Sequence, residues 1–377
     1  MLGLKWKSNL DETLDRRSRF FKREMQDSIL VSFGSVSVDT RDEWDRFDRK
    51  WGVYEVGSRR GFPSNEEIFD RETIGMAKRG TVQDDWLPVS YSILDAGESM
   101  IRGLFGKDME FLHRRHQAAF SLPEVLMPDY SSLSDCRFSL DYPWTRRFLS
   151  VQEYFTEHAG GLLAQHPCLT MDALHFACEM RGATQTYLDI YEHPDGLRQL
   201  MEIGLDFNIR FQEAQMERIG GFGNGCFVWL GDWVPFPRAV SLSVDAYVVC
   251  SPECYARLGF EYQSRLIRHF GHGLLHFHCN RADLAAVAAK LPGLELFQFG
   301  GDPKDPTPEI EHLPKMRAAV GDIPIRTTCS LNDFLSRMDA GTLPPNVWYD
   351  VGQSISVEQA NQLMKRVRNY HVSGKRN

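Results

Sequence analysis

Between residues 274 and 368 the chain alternates four times between a short apolar run and a longer amphipathic one. The short runs are 274–278 (LLHFH), 294–299 (LELFQF), 323–328 (IPIRTT) and 347–351 (VWYDV), and the amphipathic stretches are 282–291, 309–320, 331–338 and 357–368. Short β-rich runs separated by helix-length amphipathic segments predict strand-helix units. Strands that are apolar on both faces predict a parallel sheet covered by its crossover helices.

The earlier chain supplies further units. A helix is expected over 9–25, with Asn9 as cap and Glu12 closing a capping box, followed by a strand over 28–33. Strand character returns at 86–93, 160–165 and 226–230, the last ending in Gly231-Asp232-Trp233. Helices are expected over 109–120, 171–180 and 185–192, from Pro194 to 219, and from the Ser251-Pro252-Glu253 cap to 270. Pro123, Pro128 and Pro143 break the stretch 121–144 into loop. Eight strands alternating with helices predict a (β/α)8 TIM barrel of the α/β class over 81–372, with an N-terminal helical extension over 1–80 and a tail at 373–377. A doubly wound open sheet is the second choice. The glycine-rich stretch Gly220-Gly221-Phe222-Gly223-Asn224-Gly225 precedes a strand instead of following one, so it reads as a loop and not as a dinucleotide fingerprint.

Composition narrows the partners. A net charge of -8 with no sustained Lys/Arg block argues against nucleic acid, and the clusters Arg16-Arg17 and His113-Arg114-Arg115-His116 read as solvated helix faces. No run reaches the length needed to span a bilayer, and the N-terminus lacks a signal-type apolar region, so a cytoplasmic protein is expected. Eight irregularly spaced cysteines read as reduced thiols, Cys250 and Cys254 among them.

In a barrel the side chains at the C-terminal ends of the strands converge on one mouth. Those ends carry Asp232 and Trp233, then His276, His278 and Cys279, then Gln298 and Asp302, then Cys329, then Asp350 and Gln353. His276 and His278 stand two apart on one strand and share a face, which makes them half of a Zn²⁺ site. Cys329 is the expected third ligand, with Asp302 as an oxygen alternative. Asp232, Asp245 and Asp302 are the expected catalytic carboxylates. Trp233 is expected as a flat wall for a ligand, with Gln298, Cys279 and Gln353 completing substrate binding. A metal-free polar site and a pair of satisfied core histidines are the competing readings of the imidazoles.

The segments Ser243-Val244-Asp245, Ser251-Pro252-Glu253-Cys254-Tyr255, Gly271-His272-Gly273-Leu274-Leu275-His276-Phe277-His278-Cys279-Asn280 and the run from Leu294 to Asp302 resemble the uroporphyrinogen decarboxylase superfamily. The likeness extends to the opening Asn9-Leu10-Asp11-Glu12-Thr13 and to Ser356-Val357-Glu358-Gln359-Ala360. It implies a TIM barrel and one of two activities: porphyrinogen decarboxylation, or zinc-dependent methyl transfer between a corrinoid protein and a thiol. The decarboxylases carry an Arg-Gln-Ala-Gly-Arg segment after the first strand, where this chain has Gly34-Ser35-Val36-Ser37-Val38-Asp39. The methyltransferases carry His-x-Cys and a second Cys near the last strand. Here His276 matches, His278 replaces the first Cys, Cys279 is displaced by one, and Gly352-Gln353-Ser354 holds no Cys. The expectation is therefore a methyltransferase-like enzyme moving a methyl group between a corrinoid protein and a thiol or other nucleophile. Zinc and a corrinoid carried by a partner are its expected cofactors, and a small-molecule substrate and a second copy of the chain its other expected partners. A metal-free decarboxylase or lyase using Asp232 with Arg238 or Arg326, and a barrel that only binds ligand, are the alternatives.

Overall fold

Short apolar runs separated by helices assemble here into one seven-stranded, all-parallel sheet. In the computed structural model, which describes residues 4–34, 36, 42, 64–91, 100–108, 111–114, 117–121, 125–168, 170–302 and 304–372, its strands are β1 (Leu30–Phe33), β2 (Thr170–Met171), β3 (Val240–Ser243), β4 (Gly273–His278), β5 (Leu294–Gly300), β6 (Ile325–Cys329) and β7 (Val347–Val351). Their order across the sheet is β1-β7-β6-β5-β4-β3-β2. From β2 to β7 sequence neighbours are sheet neighbours, and the first strand lies beside the last. The architecture is mixed α/β, and the hydrogen-bonded sheet is open between β1 and β2 among the described residues. Strand β1 comes from the 1–80 stretch expected as an extension, so that stretch contributes to the sheet itself.

The four C-terminal strand-helix units stand where the sequence places them. Three upstream expectations are corrected. Residues 226–230 do not supply a sheet strand: Cys226–Val228 pairs antiparallel with Asp232–Val234, because the chain turns back at Gly231, whose φ is +71°. Where a helix is expected over 109–120, the described residues Phe111–Arg114 and Gln117–Ser121 form an antiparallel pair. Helix α1 (Leu10–Phe21) begins at Asn9, but no capping box forms. The amide of Asn9 donates to Thr13 Oγ1, and Glu12 instead receives Arg368.

The period of two along each strand divides the sheet into two chemically different faces. One face holds Val31, Phe33, Leu242, Leu275, Phe277, Phe297, Phe299, Ile325, Tyr349 and Val351, packed with helix residues such as Leu313, Met316, Phe334 and Met364 in the largest core. The other face is layered. Leu30, Leu274, Leu296 and Trp348 join Phe20 and Phe21 of α1 and Val228 and Val234 of the hairpin in a second apolar cluster near the N-terminal ends of the strands. Toward the C-terminal ends the same face turns polar. The register aligns Ser243, His276, Gln298 and Arg326 in one polar row that ends against Trp348 of the apolar cluster, and His278, Gly300, Thr328 and Asp350 stand in or beside the next.

The outer edge of β1 is satisfied mainly by side chains. Asp85 Oδ2 accepts from Val31 N at 2.8 Å and Asp84 Oδ2 from Phe33 N at 2.9 Å, while Asp85 N donates to Val31 O. An unpaired strand edge would leave buried amides without partners, and these two carboxylates supply acceptors. Their charge is met by Lys7 and Arg79 on Asp84 and by Arg16 on Asp85. The Arg16-Arg17 pair is therefore no solvated face. Arg17 is fully buried and lies over the Trp348 ring at 4.2 Å, with Arg326 over the same ring at 4.6 Å. No helix of the described residues is long and apolar enough to cross a membrane.

Candidate functional site

The polar half of the layered face is where donor atoms converge. Strand alternation sends His276 and His278 to that face and buries Leu275 and Phe277 on the other. On the adjacent strand, β3 ends at Ser243 opposite His276, and the chain then enters a turn that begins at Asp245. The Asp245 amide donates to Ser243 Oγ at 3.3 Å, which fixes the start of that turn. Asp245 Oδ1 thereby lies 3.2 Å from His278 Nε2 and 3.8 Å from His276 Nε2. These three side chains form a group whose ligand atoms all lie within 4.8 Å of one another.

The contacts inside the group are short but poorly aligned. Asp245 Oδ1 is buried and has no hydrogen-bond partner, although two imidazole nitrogens stand close to it. Three donor atoms that crowd one point suit a shared cation once both imidazoles are neutral. Two imidazoles and a carboxylate are a donor set for zinc or a neighbouring transition metal.

The imidazole of His276 is oriented from behind. Its Nδ1 meets Gln298 Oε1, an acceptor, so in the neutral ring the proton is held on Nδ1 and Nε2 is left free on the Asp245 side. Gly300, beside His278 on β5, leaves room for this ring: a Cβ there would stand 3.0 Å from His276 Cε1. The indole of Trp229 meets His276 edge to face, with centroids 5.6 Å apart. Removing the orienting acceptor by Gln298→Leu is expected to weaken metal binding about 10–100-fold, read by competition with a chromogenic chelator.

Electrostatics couple the group. Burial pushes the Asp245 carboxyl up, but His278 and His276 outweigh it and hold it below the usual carboxylate range. Closeness to Asp245 raises the His278 imidazole above its ordinary value, against the opposing effect of burial. In metal-free protein the His278 part of this pair is complete below about pH 6.5 and is lost as pH rises through the raised folded value; the Asp245 part is complete above about pH 4 and is lost as pH falls. The His278 ring protons, followed by NMR, should titrate above the reference histidine value and return toward it in Asp245→Asn.

The other expected residues fall elsewhere. Cys279 and Cys329 alternate to the helix-side face and are buried in the main core, where burial raises their thiols to about 11 and about 12. Cys329 also sits two strands from His276, about 10 Å across a sheet. Asp245, and not Cys329, stands with the two imidazoles. Trp233 is no ligand wall: it is completely buried beside Leu4, Leu87, Phe222 and Phe227, and its indole N–H donates to Phe222 O at 2.9 Å. Asp232 is held by Arg326, whose Nε also donates to Asp350 at 2.6 Å. Burial opposes charge on that guanidinium, but Asp232 and Asp350 outweigh it and raise its pKa. Asp302 accepts from Asn280 Nδ2 at 3.0 Å and from Lys304 N at 2.7 Å, closing a turn at the rim, and its charge still reaches His278. Gln353 is exposed beyond β7. Sequence reasoning passed over Trp229 and Gly300; only the register and the turn after Val228 bring them to His276.

No family model matches the chain, and no curated protein matches it. Among solved structures it is similar to a methyltransferase from Methanosarcina mazei, with 12% identity, a TM-score of 0.57 and coverage of 95% of this chain and 98% of that one. At that identity the likeness is one of fold, and it runs nearly end to end.

Proposed function

We propose that this chain is a methyltransferase-like enzyme acting on a small molecule, with a metal ion held by His276, His278 and Asp245 at the C-terminal mouth of a (β/α)8 barrel. The single observation that carries the proposal is the meeting of three metal-donor atoms at the ends of two adjacent parallel strands. An end-to-end fold likeness to a methyltransferase supports it. Barrel closure is favoured by β1 lying beside β7 and by the Asp84-Asp85 segment on its other edge. That segment leads into Val89–Tyr91, which pairs in parallel with Ala164–His166 shortly before β2.

A metal bound there would supply Lewis acidity to a substrate atom. The chain's own residues do the positioning. Gln298 fixes the tautomer of His276, Asp245 places a negative charge between the two imidazoles, and Trp229 closes one side of His276. Arg326, paired to Asp232 and Asp350 in the row beside Gln298, keeps buried positive charge close to the site without leaving it unpaired. The methyl carrier in this reading is a corrinoid borne by a partner protein. Purified protein reconstituted with zinc should move methyl groups to or from free cobalamin, followed by the visible spectrum of the corrinoid. Absence of transfer with every carrier and acceptor tried, from protein shown to hold its metal, would overturn the methyltransferase reading.

A further inference from the structure

Asp245 stands on the turn after β3, whereas His276 and His278 stand on β4, so the three donors stay together only while two segments keep their relative place. The sheet fastens these segments at one end. Strand β3 pairs with β4 as far as Ser243 opposite His276, and Val244 N donates to His276 O at 3.4 Å before the chain leaves the sheet. The buried Oδ1 of Asp245 has no hydrogen-bond partner to hold it. Its place therefore depends on the backbone that carries it.

That backbone is fastened a second time. Val248 N donates to Asp245 O at 3.1 Å and Cys250 N to Tyr247 O at 2.9 Å, which winds 245–250 into consecutive tight turns. Arg281, three residues past His278, closes the far end: its Nη1 donates to Val248 O and its Nη2 to Cys250 O at 2.8 Å. Its own backbone N donates to His278 O at 3.2 Å, so the same residue is tied to the strand that carries the imidazoles. Asp283 orients the guanidinium, accepting from Nε at 3.0 Å and from Nη2 at 2.9 Å. Tyr187 adds a tie from a different helix, its hydroxyl donating to Ala246 O at 2.7 Å. One planar fork meets two carbonyls and a carboxylate at once, a geometry that a lysine ammonium does not reproduce. We propose that Arg281 is a positioning residue for the metal site, holding Asp245 where it, His276 and His278 reach one ion. The proposal rests on the metal-assisted reading above, and Arg281 acts through the turn and not on the ion.

A double-mutant cycle on zinc affinity separates positioning from general support of the fold. It is read by equilibrium dialysis of the full-length protein, with circular dichroism as the folding control. Arg281→Ala should weaken zinc binding about tenfold or more, as removal of a group that orients a metal ligand does. In an Asp245→Ala background the same change should cost less than about threefold, because the ligand it positions is already gone. If Arg281→Ala does not fold, the cycle runs on Arg281→Lys, which keeps the charge but reaches one carbonyl at most; a loss of at least about threefold that requires Asp245 is then expected. Wild-type affinity in the folded Arg281 variant, or equal losses with and without the Asp245 carboxylate, would overturn the proposal while leaving the metal site in place. Failure of the wild type to bind zinc would remove the metal-assisted reading itself, and this proposal with it.

Discussion

His276→Ala is expected to lower metal affinity by more than about 100-fold and to abolish turnover, because loss of a mere orienting partner already costs about 10–100-fold. The ring supplies one of three converging donors, receives the Gln298 contact and packs on Trp229. Its side chain is only partly buried, at the polar level of the sheet face, so truncation removes little apolar packing and the chain should stay folded. Equilibrium dialysis against zinc, with circular dichroism as the folding control, checks the outcome. Unchanged zinc affinity in a folded variant would remove His276 from the site.

Asp84→Ala is expected to act on the fold instead. Asp84 is fully buried, pairs with Lys7 at 3.1 Å and Arg79 at 2.8 Å, and accepts from the Phe33 amide on the edge of β1. Removing it strands two cations and a backbone donor. Breaking such a buried pair costs about 3–5 kcal/mol, a large share of the roughly 5–15 kcal/mol that holds a domain together. The urea midpoint should fall accordingly, and a shift under about 1 kcal/mol would show that β1 does not depend on this carboxylate. Burial raises the Asp84 carboxyl, but Arg79 and Lys7 outweigh it and hold it below its ordinary value. Its contribution is therefore complete above about pH 4 and is lost as pH falls through the lower folded value.

These two residues mark how far the sequence could be read. The units from β4 to the C-terminal helix were legible because each strand is a short β-rich run bounded by turns and followed by an amphipathic helix. Strand β3 was not, since Val240-Ser241-Leu242-Ser243 carries serines on its inner face and lacks the apolar run of a covered strand. Cys226–Val228 misled for the opposite reason: it is apolar throughout, yet belongs to a hairpin whose return at Gly231 leaves no room for a sheet strand. The histidine pair was found by its spacing of two, and the same period already turns Cys279 to the far face. The role of Asp245 beside them could not be read from spacing, because it depends on β3 pairing with β4 and on a turn fixed by Ser243. Nor could the use of Asp84 and Asp85 as acceptors for β1, some fifty residues away in the chain.

The central claim is that His276, His278 and Asp245 hold one metal ion together. An anomalous-difference map collected at the zinc edge, from crystals of zinc-reconstituted protein, tests it most directly. The account predicts a single strong peak within coordination distance of His276 Nε2, His278 Nε2 and an Asp245 carboxylate oxygen, with no sulfur neighbour from the chain. A peak ligated by Cys279 or Cys329, or none between the two imidazoles, would contradict it.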